Sequence, residues 1–143
     1  MLVSQISVFL ENTKGRLFSV SDILAKNDIN VRAVSIADTT DFGILRMIVN
    51  DPEKAYTVLR ENNFTVRITK VIAVEIDDTP GSMAQVLKKL NDQGIEVEYM
   101  YAFLGNIFGN ALVILKIDDP DKVEEITAMD GIKLIPAEEV YKL

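Results

Sequence analysis

The sequence predicts an α+β fold: two tandem β-α-β-β-α-β units, each an antiparallel sheet with its helices on one face. Three observations lead there. Sliding the chain by 66 residues lays Ile6 on Ile72, Val8 on Val74, Thr13 on Thr79 and Gly15 on Gly81, then Val20 on Val86, Leu24 on Leu90 and Ile29 on Ile95. A later pair, Asp51-Pro52 and Asp119-Pro120, matches at an offset of 68, as a duplication with two extra residues in the preceding turn requires. In both copies the apolar period switches between two and 3.6 in the same order.

Each copy opens on a strand: SQISVFL and KVIAVEI alternate as half-buried strands do. The breaks ENTKG and DDTPG follow, and then helices. Met83, Val86, Leu87 and Leu90 fall at i, i+3, i+4 and i+7, one buried face, and Leu17, Val20, Ile23 and Leu24 repeat it. Asn27-Asp28 and Gln93-Gly94 end these helices, with Gly94 suited to a left-handed C-terminal cap.

INVRAVSIAD and IEVEYMYAFL resume the strand pattern. Turns with Gly43, and with Gly105 and Gly109, lead into FGILRMIVN and NALVILKID. The Asp-Pro pairs start the second helices: Asp caps exposed N–H groups and Pro tolerates the first helical position. Ala55, Val58 and Leu59 form one short apolar stripe, Val123 and Ile126 the other. FTVRI and IKLI supply last strands, and PAEEVYKL reads as a closing helical turn. The order is ferredoxin-like. It divides the chain into 1–68 and 69–143, with no Gly/Pro/Ser-rich linker at Thr69-Lys70.

Helices cover one sheet face only, yet NALVILKID is apolar on both alternations, so part of the second face must be covered by the other repeat or a second chain. Tyr99, Tyr101 and Phe103 alternate on one face and suit core or interface better than a pocket wall.

Composition narrows the function. Of 143 residues, 48% are apolar and 26% charged, a soluble globular balance. No run of 18 apolar residues exists, and MLVSQISVFLENTKGR lacks the basic start and apolar core of a signal peptide, so no membrane is expected and the cytoplasm is the default. There is no Cys and no His, which removes thiolate metal sites and the Ser-His-Asp and Cys-His constellations. The expectation is a non-enzyme with no cofactor and no metal. Asp118, Asp119 and Asp121 lack the loop Gly and distal Glu of a calcium loop and suit a helix N-terminus instead. GNIFGN lies between strands and lacks nucleotide-loop spacing.

The net charge of −7 argues against nucleic acid. It is uneven: residues 1–68 carry 8 Lys and Arg against 8 Asp and Glu, residues 69–143 carry 7 against 14, and all five Arg lie in the first copy.

At DDTPGSM the chain passes from strand to helix. The helix's first N–H groups lack intrahelical partners and carry partial positive charge, which suits a carboxylate. Gly81, without a Cβ, permits close approach, and Asp78 beside it suits an ammonium group. Together these describe a free amino acid. Ordinary capping is the better account of one such turn; its recurrence as Asn12-Thr13-Lys14-Gly15 over Asp78-Thr79-Pro80-Gly81 favours a ligand, although duplication alone also explains it.

N-T-K-G-R-L and D-T-P-G-S-M, each after a strand and inside a β-α-β-β-α-β unit, resemble the (N/D)-x-P-G-x-(L/M/A) turn of the ACT domain, over essentially the whole chain. The resemblance implies a regulatory module that binds an amino acid between paired domains. On that footing Asn12 and Asp78 contact the ligand amine or side chain, with Thr13 and Thr79 in the same turns. Gly15 and Gly81 are the positions of close approach, and Arg16, Leu17, Ser82 and Met83 offer first-turn N–H groups. Lys14 departs from the usual Pro, and the Asn12/Asp78 difference makes the two sites unequal, with Asp78 the stronger amine site. The expected partners are a small-molecule amino acid, a second copy in a homodimer, and an enzyme or regulator that receives the signal. The alternative is an assembly module with an empty pocket.

Overall fold

The computed structural model describes every residue except Asn12, Thr39, Thr40 and 105–108. The elements run β1 Val3–Glu11, α1 Arg16–Lys26, β2 Val31–Asp38, β3 Phe42–Val49, α2 Pro52–Glu61, β4 Thr65–Ile76, α3 Ser82–Asp92, β5 Val97–Ala102, β6 Ala111–Ile117, α4 Val123–Thr127, β7 Lys133–Leu134 and α5 Ala137–Lys142. This is the α+β, ferredoxin-like order in both copies. Two compact units result, one of Ser4–Thr69 with Tyr141–Leu143, the other of Met1–Val3 with Lys70–Val140.

In the Ser4–Thr69 unit β3 lies between β1 and β2, antiparallel to both, with Ile6 opposite Met47 and Val34 opposite Met47 on the other side. Alternate residues Ile6, Val8 and Leu10 of β1 and Leu45, Met47 and Val49 of β3 point to one face. There they meet Val20 and Leu24 of α1 and Ala55 and Leu59 of α2 in one core. The opposite alternation is also buried, at Gln5, Ser7, Ala33 and Ile48. Its polar members are satisfied locally: Gln5 Nε2 donates to Ser7 Oγ at 3.0 Å, and Ser7 Oγ lies 3.2 Å from Thr69 Oγ1. The backbone N–H of Ser4 donates to Tyr141 Oη at 2.8 Å, which ties the chain end to the first strand.

In the Lys70–Val140 unit β6 pairs antiparallel with β4 and β5, and the short β7 pairs with β4. Ile72, Val74 and Ile76 share a core with Val86 and Leu90 of α3 and Ile126 of α4. The other alternation is buried at Val71, Ala73, Leu112 and Ile114, as the doubly apolar NALVILKID pattern anticipates.

The helix ends repeat between copies. Asp51 caps α2 by accepting from the Lys54 N–H at 3.1 Å, and Asp119 accepts from the Asp121 N–H at 3.0 Å, where a short 3-10 turn precedes α4. The acid cluster is thus partly spent on capping, and Asp118 Oδ1 accepts from the Glu96 N–H at 3.1 Å as Asn50 Oδ1 does from Asn30. Four helix exits carry a left-handed residue: Asp28, Asn63, Gly94 and Gly131.

One member of the apolar stripe departs from expectation. Leu17, placed on the buried face of α1, is 45% exposed. It lies in the opening turn, and the core begins one turn later at Val20. Its counterpart Met83 is partly buried against the other core.

Candidate functional site

In the second copy β4 ends at Ile76, and Asp77 to Gly81 carry the chain to Ser82, the first residue of α3. Gly81 adopts φ 90°, a left-handed conformation that disfavours any side chain. A Cβ built there would meet nothing within 4 Å, so the space against this backbone is open. The turn is closed by its own backbone, Ser82 N–H to Thr79 O at 3.2 Å and Gln85 N–H to Gly81 O at 3.0 Å, and the Thr79 and Ser82 hydroxyls lie 2.6 Å apart. Among the described residues no side-chain cap is found on α3. Beyond the Ser82 N–H, the amides of its opening turn therefore remain available to an outside acceptor.

The first copy repeats this. Thr13 N–H bonds Glu11 O at 2.7 Å, Gly15 stands at φ 85° with open space around it, and α1 starts at Arg16 without a side-chain cap. Ser19 returns both its N–H and its hydroxyl to Gly15 O, each at 2.9 Å. Asn12 lies outside the described residues.

A cleft of about 350 Å³ opens at the second turn, lined by Glu75, Asp77, Ser82, Gln85, Asn110 and Lys133 among others. Glu75 comes from β4, Lys133 from β7, and Asn110 immediately precedes β6. Lys133 Nζ pairs with Glu75 Oε2 at 2.6 Å, and Asn110 Nδ2 donates to Glu75 Oε1 at 2.8 Å. The hydrogen bond from Asn110, then the bond and charge of Lys133, hold the Glu75 carboxyl below the usual Glu range against the opposing effect of burial. Glu75 in turn raises the Lys133 ammonium. The cleft thus sets fixed negative charge, Glu75 and Asp77, beside a lysine ammonium and a helix mouth. That arrangement can take both ends of a zwitterion.

A cleft of about 260 Å³ opens at the first turn, lined by Phe9, Leu10, Glu11, Arg16, Phe42, Asn63 and Thr65. Carried across the repeat, with the 66-residue offset up to the turn after β2 and 68 from β3 onward, these fall on Glu75, Ile76, Asp77, Ser82, Asn110, Gly131 and Lys133. All seven line the other cleft. The two clefts are one feature of the fold with different linings.

Of the residues singled out in the sequence, Ser82 and Arg16 line the clefts. Asp78, Thr79, Gly81, Met83, Thr13, Gly15 and Leu17 build the turns and helix starts without lining them, and Asp77 rather than Asp78 faces the second cleft. Sequence reading missed Glu75, Asn110 and Lys133, which come together only through strand pairing. The available signal was Glu75, an acid inside the apolar run VIAVEI. A larger groove of about 690 Å³ beside α3 and β5, lined by Leu87, Tyr99 and Met100 with Glu96, offers no cation for a carboxylate. Among the described residues no group of acids suits a metal ion, and no helix is long and apolar enough to cross a membrane.

A family model described as an ACT domain pair matches residues 1–143. The chain is similar to protein BT0572 from Bacteroides thetaiotaomicron, a crystal structure 43% identical, with TM-score 0.93 over 100% of this chain and 98% of that one. It also resembles the ligand-free regulatory subunit of aspartate kinase from Thermus thermophilus, 14% identical, with TM-score 0.62 over 97% of this chain and 89% of that one. The corresponding subunit from Thermus flavus is 14% identical, with TM-score 0.58 over 97% and 90%. At these last identities the likeness is one of fold. Among curated proteins no match is found.

Proposed function

The chain belongs to the ACT domain pair family, and from that premise we propose that it is a non-catalytic regulatory protein that binds a free amino acid at its strand-to-helix turns. The observation that carries this is the second turn: an uncapped helix mouth with open space at Gly81, beside a cleft holding Glu75, Asp77 and Lys133. The ligand carboxylate sits against the first-turn N–H groups of α3, which a carboxylate satisfies with charge-assisted hydrogen bonds. Its ammonium meets Asp77, with Asp78 next to it in the turn. Because Lys133 already occupies one oxygen of Glu75, an incoming ammonium must share that carboxylate or displace the lysine. The signal passes to a partner enzyme or regulator, as a regulatory subunit of aspartate kinase does for its own enzyme.

A thermal-melt panel with the common amino acids tests this. Ligand at a hundred times its dissociation constant adds about 2.7 kcal/mol, which raises the melt by roughly 5–11 °C for a chain of this size. Asp77→Asn and Asp78→Ala are expected to reduce the response more than Asn12→Ala. A panel flat at millimolar ligand overturns the sensor role.

One observation favours a second role, assembly. Leu17 and Phe18, at the opening turn of α1, are 45% and 72% exposed, adjacent apolar side chains of the kind that join surfaces.

A further inference from the structure

We propose that the first-copy cleft is a ligand site in its own right, selective for a small molecule that joins a carboxylate to an aromatic ring. The proposal rests on the turns being where ligands enter, and adds a second ligand of different chemistry. The duplication places seven lining residues of one cleft on seven of the other, yet the chemistry is exchanged at each key position. Glu75 becomes Phe9, Asn110 becomes Phe42, Ser82 becomes Arg16 and Lys133 becomes Thr65. The self-contained Glu75–Lys133–Asn110 network therefore has no counterpart in the first copy.

A cation without an anion stands there instead. Among the described residues Arg16 makes no ion pair. Its guanidinium lies 4.3 Å from the centre of the buried Phe64 ring, and its Nε is shielded from water without a hydrogen-bond partner. This packing on the Phe64 ring leaves the remaining N–H donors of the guanidinium for a planar acceptor, the geometry that carboxylates match best. Phe9 and Phe42 stand with ring centres 6.5 Å apart at 57°, and Phe42 is 44% exposed. Arg67 lies 5.7 Å from the centre of the Phe9 ring. An aromatic ring laid against this pair covers apolar surface that water now touches. At about 260 Å³ the cleft is below the usual range for drug-sized ligands and suits a molecule of amino-acid size. Glu11, the one acid in the lining, adds a place for an ammonium, so an aromatic amino acid and an aromatic acid without the amine share the recognised chemistry.

Isothermal titration with L-phenylalanine and with phenylacetate tests this on the full chain. Saturable binding of L-phenylalanine is expected, weakened at least about tenfold in Arg16→Gln, the loss of one charge-assisted contact. Arg16→Lys should recover only part of it, because an ammonium lacks the planar fork. Lys26→Gln, at the far end of α1, serves as the control and should bind like the wild type. Phenylacetate binding as tightly assigns recognition to carboxylate and ring alone. Weaker phenylacetate binding, with an equal loss for L-phenylalanine in Glu11→Gln, adds Glu11 as the ammonium contact. No saturable heat with either probe, or binding undiminished in Arg16→Gln, overturns the proposal. Asp77→Asn reports on the second-copy cleft and Arg16→Gln on the first, so either assignment can fail alone.

Discussion

Glu75 and Lys133 show how much one pair of side chains decides. Glu75 is largely buried and held below its ordinary value, chiefly by Asn110 and then by Lys133. A carboxyl whose folded pKa is depressed contributes stability that is complete above its ordinary value and is lost as the pH falls through the folded one. Lys133, raised by Glu75, works in the opposite sense: its contribution is complete below the ordinary lysine value and fades as the pH rises through the folded one. Between those limits the pair is constant. Glu75→Gln is therefore expected to lower stability most between those limits and to flatten both limbs of a stability-versus-pH profile, measured by urea denaturation, so that variant and wild type converge in acid. An acid limb as steep as the wild type's would show that other carboxyls set it. Lys133 is itself 70% exposed, so Lys133→Met should shift the melting temperature little, while freeing one oxygen of Glu75 for an incoming amine. At this scale the sequence pointed to the turns, and to Ser82 and Arg16 among the residues that line the clefts. Gly15 and Gly81 were legible because a glycine before a helical run signals a special backbone. Asn110 and Lys133 were not, because nothing local marks residues that meet only after three strands have paired.

Among the elements, α1 and α3 descend from one helix and differ where they begin. Val20 and Leu24 are fully buried in α1, as Val86 and Leu90 are nearly so in α3, and the 3.6-residue period alone identifies them. The period does not say how far along a helix the core extends, and so it put Leu17 inside. Leu24→Ala should cost about 2–5 kcal/mol, as deletion from a packed core does. Leu17→Ala should stay within about 1 kcal/mol, since half of its surface already meets water. Chemical denaturation of the two variants checks this, and comparable losses would mean that the core reaches the first turn. Strands were legible through alternation, and most fully where both faces are buried, as in NALVILKID. The two-residue β7 was visible only as part of the longer run IKLI, because strand pairing, not propensity, decides where such a short piece stops.

For the whole molecule, the charge is what distinguishes the halves. The first copy is neutral and holds every arginine, while the second carries the full excess of acid. Exposed Leu17 and Phe18 lie in the neutral copy, where like-charge repulsion between two chains is weakest. An assembly role predicts that the protein sediments as a dimer and that Phe18→Glu returns it to a monomer with its melting temperature nearly unchanged. A wild-type monomer at the highest soluble concentration removes that role and leaves ligand binding to stand alone. The tandem order and the ferredoxin-like class were legible, because duplication writes most core positions twice. The difference in lining between the two clefts emerges only when the seven shared positions are laid on one another.

β4 is one unbroken strand of twelve residues, and the division between the compact units falls inside it, after Thr69. Cutting there would sever a strand in its middle rather than trim a tether, leaving each fragment with a frayed stump. A chain built this way permits its two helix mouths to drift apart in chemistry, one substitution at a time. It does not permit either mouth to be inherited by itself.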